Sequence, residues 1–179
     1  MTKYAAFLRG ILPMNPNMRN EKLRSVATDL GFENVESVIS SGNLIFEAPS
    51  SNTREMEDLF ERAWPEKLGF ESTTIIRSEA DIQALIDSNP FGDRTHGPKT
   101  YLLTTFSKDP LEIPFEMPYT PPDRDYLVVG AALREIFTVT DTASQSTPDV
   151  MAWLEKQFGK EISSRTWLTV HKIRKRMRG

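Results

Sequence analysis

The sequence predicts an α+β protein, and three observations carry that reading. Short apolar runs alternate with helical periodicities from Lys3 to Arg77, a Ser41-Gly42 turn joins two of the runs, and prolines divide the second half into shorter pieces. The order of the first half, strand, helix, strand, turn, strand, helix, strand, is the split βαβ signature of a ferredoxin-like sheet. Residues 1–77 therefore read as a ferredoxin-like subdomain and residues 78–179 as a mixed α+β subdomain. No flexible linker separates them near residue 78, so the two are expected to pack as one compact unit, the later strands either forming a second sheet or extending the first.

Tyr4 to Arg9 is an apolar run ending in Arg-Gly, which suits a buried first strand. The loop from Gly10 to Arg19 carries Pro13, Asn15, Pro16 and Asn17. Asn20 stands where an N-cap belongs, followed by Leu23, Val26, Ala27 and Leu30 at helical spacing and by Gly31 as the left-handed stop. Val35 to Ser40 and Asn43 to Glu47 are the hairpin strands. A second helix starts near Thr53 and places Met56, Leu59, Phe60 and Ala63 on one stripe; Pro65 is expected to end or kink it. Glu71 to Arg77 is the fourth strand.

Beyond it, Ser78 and Asp81 form a capping box ahead of a short helix that stops before Pro90. Thr100 to Phe106 is a strand. Pro110, Pro114, Pro118, Pro121 and Pro122 then mark a loop where neither helix nor sheet can run far. Tyr126 to Val129 and Glu135 to Val139 are two more strands. Thr147-Pro148 starts a helix with Val150, Trp153, Leu154 and Phe158 on one face, and a last helix is expected from about Ser164 to the end. No sequence repeat is visible.

The bulk numbers exclude more than they assign. With 39% hydrophobic and 26% charged residues the chain has an ordinary globular composition, and its net charge of −3 points to no partner. The absence of cysteine excludes disulfides, zinc–thiolate sites and cysteine nucleophiles. The first residues lack the long apolar core of a secretory signal, and no stretch reaches the roughly 20 apolar residues of a membrane span, so a cytoplasmic location is expected. There is no P-loop, dinucleotide-binding glycine fingerprint or Gly-x-Ser-x-Gly elbow. His96 and His171 are isolated, and Asp123 and Asp125 read as solvated, so neither a metal nor a cofactor is expected. Nothing specifies an enzyme, and a domain that binds a small ligand or a partner is the expectation.

Phe7-Leu8-Arg9-Gly10-Ile11, Leu30-Gly31-Phe32, Ser41-Gly42-Asn43-Leu44-Ile45-Phe46 and Asn89-Pro90-Phe91 together resemble the bacterial family called domain of unknown function 1697. Ser163-Ser164-Arg165-Thr166-Trp167 resembles that family's closing Thr-Thr-Arg-Asn-Trp, with Thr166 in place of the amide. The family typically continues Leu-Arg-Gly-Ile with Asn-Val-Gly-Gly, where this chain has Leu12-Pro13-Met14-Asn15. The resemblance implies a family and no activity.

Topology supplies a candidate site. With strands ordered 4-1-3-2, the end of the first strand meets the start of the third, which brings Arg9 and Gly10 beside Ser41 and Asn43, and the start of the first helix returns Asn20 to the same end. A guanidinium, a hydroxyl, amides and free helix N–H groups suit a small phosphate- or carboxylate-bearing ligand. The competing reading gives Ser41 and Asn43 to the turn alone.

The second candidate is the C-terminus. Arg165, Lys172, Arg174, Lys175, Arg176 and Arg178 lie in a stretch without a single acid. Such polarity can attract nucleic acid, yet Trp167, Val170, Ile173 and Met177 share one arc, the pattern of a helix packed on its own core with cations complementing its C-terminal dipole. The third strand offers only Phe46 as an RNA-stacking aromatic. Exposed edges of such sheets can pair between chains, so monomer and homodimer both stay open.

Overall fold

The computed structural model describes residues 1–40, 42–141 and 147–179. The chain divides into two compact units, Met1–Ala84 with Lys172–Gly179, and Leu85–His171.

The first unit is built on strands β1 (Thr2–Leu8), β2 (Glu33–Ser37), β3 (Asn43–Ala48) and β4 (Thr74–Ser78), with helices α1 (Asn20–Asp29) and α2 (Thr53–Leu68) as crossovers. The sheet order is β2-β3-β1-β4 with every pair antiparallel, compatible with the ferredoxin-like order read from the sequence. Because strand residues alternate between faces, Tyr4, Ala6, Leu8, Leu44, Phe46 and Ile76 turn one way. They meet Leu23, Val26 and Ala27 of α1 and Met56, Phe60, Ala63 and Trp64 of α2 in one core. Phe32, Phe46, Phe60 and Trp64 run through it as successive ring contacts, with centroids 4.5–5.6 Å apart.

The opposite face carries Lys3, Ala5, Phe7, Ile45 and Arg77. Helix α3 (Glu79–Asp87) follows β4, opened by the expected box: Asp81 N–H donates to Ser78 Oγ and Ser78 N–H to Asp81 Oδ2, both at 3.1 Å. The end of helix α5 (Trp167–Arg178) is tied to this face. Lys3 Nζ donates to the Met177 carbonyl at 2.8 Å, Arg174 pairs with Glu79 and Gln83, and Arg176 pairs with Glu36. Ile173 and Met177 are buried, as the apolar arc of that helix requires.

The second unit carries β5 (Thr100–Ser107), β6 (Leu127–Ala131), β7 (Glu135–Asp141) and β8 (Ile162–Thr166), again all antiparallel and in the order β6-β7-β5-β8. The later strands thus form a second sheet rather than extending the first. Helix α4 (Thr147–Phe158) crosses from β7 to β8 and buries Val150 and Leu154 against Leu103, Tyr126, Val128, Ile136 and Ile162.

Three local expectations are corrected. Pro65 does not end α2, because the helix runs on to Leu68, where Gly69 at φ 77° returns its N–H to the carbonyls of Trp64 and Pro65. Asn20 is the first residue of α1 rather than its cap, Arg19 being the cap, because the Asn20 amide is drawn to the carbonyl of Ile39. The last helix starts at Trp167, not near Ser164: residues 162–166 form β8, since their pairing with β5 outweighs the helical periodicity that follows. The closing motif meets the Asn89-Pro90-Phe91 motif inside this unit, Phe91 lying 5.2 Å from Trp167 and 5.7 Å from Phe137.

Candidate functional site

The predicted meeting of strand ends is present. Phe7 pairs with Asn43, and Leu8 N–H donates to the Gly42 carbonyl at 3.0 Å, so Arg9 and Gly10 lie next to the hairpin turn. Arg9 N–H donates to the Thr73 carbonyl at 2.9 Å, and the Arg9 carbonyl accepts from Ser72 Oγ at 2.7 Å, which fixes that strand end between β3 and β4. Gly42 has φ 73°, and a Cβ there would lie 2.7 Å from Ile11 Cγ1 and 3.1 Å from the Cβ of Leu8. Only glycine satisfies both the left-handed backbone and that approach. Ser41 lies outside the described residues.

The two amides of the predicted cluster act on one short stretch of backbone. Asn43, 1% exposed, donates through Nδ2 to the Val38 carbonyl at 3.1 Å, while Val38 N–H donates to the Asn43 carbonyl at 3.0 Å. Asn20 Nδ2 donates to the Ile39 carbonyl at 2.7 Å. Between them they hold Val38 and Ile39 in place. Ile39 has φ 53° and is 45% exposed. A β-branched residue in the left-handed region costs on the order of 1–3 kcal/mol, and such strain clusters at ligand clamps and switches.

On its other side this stretch lines a cavity of about 410 Å³, whose walls are Ser37, Val38, Ile39, Lys172, Lys175 and Arg176, with Gly179 at the rim. Lys172, Lys175 and Arg176 are spaced i, i+3 and i+4, which puts all three on one face of α5. The basic residues of the C-terminus therefore separate into distinct sets. Arg174 and Arg178 bond Gln83, Arg174 also pairs with Glu79, and Arg176 pairs with Glu36. Among the described residues, Lys172 and Lys175 have neither a hydrogen-bond nor an ion-pair partner. Arg165 stands apart from this helix face, on β8, where its Nη1 donates to Ser163 Oγ at 2.9 Å and to the Ser164 carbonyl at 2.8 Å, and burial pushes its pKa down to about 10. The RNA-stacking candidate Phe46 is buried in the first core between Phe32 and Phe60.

Sequence reading kept the amide cluster and the basic helix as separate alternatives. In the fold they meet at residues 37–39. Antiparallel topology was enough to find the first, but the second required knowing that the C-terminal turns join the first unit. Ile39 carried no sequence signal, because a left-handed conformation is least expected of a β-branched residue.

No curated protein matches the chain. Over its whole length it shares its fold with the structure titled "The structure of conserved bacterial protein SP0830 from Streptococcus pneumoniae", at 22% identity and a TM-score of 0.70, covering 100% of this chain and 99% of that one. Residues 1–122 match the family described as "Protein of unknown function (DUF1697)", which contains the motifs of the first sheet and its hairpin, and to that family the chain belongs.

Proposed function

We propose that the protein binds a small ligand through an anionic group, phosphate or carboxylate, seated on Lys172 and Lys175 at the end of β2. The observation that carries this reading is the pair of ammonium groups on the wall of one cavity that have no partner among the described residues. Like charges one turn apart repel, and an anion between them removes that cost. Asn20 and Asn43 serve as positioning residues for the opposite wall, while the backbones of Arg9 and Gly10 complete the adjoining strand end. Engagement of Arg174, Arg176 and Arg178 within the chain favours this reading over nucleic-acid binding, because a phosphate-backbone interface needs a row of available cations. A cytoplasmic location accords with a chain that lacks cysteine and in which no described helix is long and apolar enough to cross a membrane.

Isothermal titration calorimetry with inorganic phosphate at low ionic strength tests the reading. Replacing both Lys172 and Lys175 by Gln should weaken binding by about tenfold or more, the scale of two lost charge contacts. The Arg165→Gln variant should bind as the parent does. A parent protein that gives no binding heat, or a double variant that binds unchanged, overturns the proposal.

A further inference from the structure

Resting on that anion site, we infer that its ligand is a phosphomonoester whose body is apolar and lies against Ile39. A phosphomonoester carries close to two negative charges at neutral pH, which matches the two ammonium groups that lack a partner among the described residues; a carboxylate would neutralise only one. The cavity of about 410 Å³ falls in the range of small-molecule pockets, about 300–1,000 Å³, and so has room for a ligand body as well as its anionic group. The wall away from the lysines is made by Ser37, Val38 and Ile39, and the Ser37 hydroxyl already accepts from Arg24 Nη1.

Ile39 is the informative residue. Among the described residues, four that are not glycine have positive φ: Asn34, Asn89 and Asp123 are of the types that tolerate it, and Ile39 is the exception. A turn built for stability alone would carry Asn or Gly there. Instead a large apolar side chain is held half-exposed at the cavity on a strained backbone anchored by Asn20. Strain of this kind persists where the surrounding structure holds it for a purpose, and here it presents an aliphatic surface opposite two cations. The arrangement discriminates by the ligand's body where it meets the Ile39 side chain, since a hydroxylated body would lose water there and that side chain offers no hydrogen bond in return.

Calorimetry with two probes of like charge, phenyl phosphate and glycerol 3-phosphate, decides the matter. The parent protein should bind phenyl phosphate about tenfold more tightly, on the scale of burying part of one ring. Ile39→Asn, which suits the left-handed backbone, should bring the ratio close to one without weakening glycerol 3-phosphate; Ile39→Gly should do the same. Lys172→Gln with Lys175→Gln should weaken both probes together and keep the ratio. Equal affinities in the parent, or a ratio that survives both Ile39 variants, overturns the apolar body and leaves the anion site standing. Binding of neither probe overturns both.

Discussion

In the first unit α1 carries the chain from β1 to β2, whereas in the second the same connection, from β5 to β6, is made by an extended proline-rich strap. Along that strap Leu111, Ile113, Phe115, Met117 and Tyr119 pack against the core, while Glu112, Pro114, Glu116, Pro118 and Thr120 stay exposed. Tyr119 exchanges backbone hydrogen bonds with Val128 of β6 at 2.9 and 2.7 Å, and the flanking prolines stop that pairing from spreading. What surrounds the strap's place is otherwise repeated. Leu8 N–H to Gly42 and Arg9 N–H to Thr73 recur as Ser107 N–H to Arg134, at 2.8 Å, and Lys108 N–H to Glu161, at 3.0 Å. The comparison teaches that strand order, hairpin and the helix before the fourth strand define the unit, and that the first crossover needs only to supply apolar side chains at the right spacing. At the strand end equivalent to that of Arg9, Lys108 is buried and pairs with Glu161 at 3.2 Å.

If a helix and a strap cover their cores unequally, matched deletions should show it. Trp64 of α2 is fully buried, stacks on Phe60 and Phe70, and donates through Nε1 to Thr74 Oγ1 at 2.9 Å. Trp153 of α4 is only partly buried and touches Phe115 and Tyr119 of the strap as well as Tyr126 and Phe158. Trp64→Ala should cost about 3–5 kcal/mol of stability in urea unfolding. Trp153→Ala should cost about 1–3 kcal/mol, since part of its surface is already in water. Equal costs would mean that the strap encloses its core as tightly as a helix does.

The sheet edges give a second contrast. Edge strand β4 is blunted by α2: Glu57, 3% exposed, accepts from Ile76 N–H, and Glu61 accepts from Thr74 N–H, each at 2.9 Å. Helix α4, aligned on the glycines that end each helix, carries Thr147 and Met151 at those places. Glu57→Ala should therefore cost about 1–3 kcal/mol by leaving a buried N–H unpaired, and amide hydrogen exchange should find Ile76 deprotected. A variant in which Ile76 keeps its protection would remove Glu57 from this role and leave the contrast between the edges without a cause. Met151→Ala should leave the exchange of β8 unchanged.

What was legible in the sequence follows from how local each signal is. The helical stripes of α1 and α2, the Ser78–Asp81 box and the Ser41-Gly42 turn are set by neighbours in the chain, and they gave the first unit its topology and brought Arg9 beside Asn43. Strand β8 was hidden because Ser163, Ser164 and Arg165 have little strand preference of their own and are held by β5 across a long separation. The Lys172–Lys175 wall was hidden for a related reason: the last turns of the chain complete a unit that began at residue 1. Arg174 and Arg176 looked like a charge run because their partners Glu79 and Glu36 are remote in sequence.

Each unit buries a tyrosine, and the two should respond oppositely to loss of the hydroxyl. Tyr4 donates to the Ser50 carbonyl at 2.6 Å. The Tyr126 hydroxyl is buried, and Arg124 is near enough to act on it without forming a well-aligned hydrogen bond. Tyr4→Phe should thus destabilise by about 0.5–1.5 kcal/mol, while Tyr126→Phe should be neutral or stabilise by up to about 1 kcal/mol. Burial also raises the Tyr126 pKa above its usual 10.0, with the nearby Arg124 opposing and Asp149 reinforcing the shift. The sign follows from proton counts. As pH rises past 10 the unfolded chain releases this proton while the folded one keeps it, so the stability present below pH 10 declines until the folded pKa is passed. Urea midpoints compared at neutral pH and above 10 should therefore fall less for Tyr126→Phe than for the parent. An equal alkaline fall in both would show that Tyr126 ionises as easily in the folded chain as in the unfolded one, and that its hydroxyl reaches water or an acceptor.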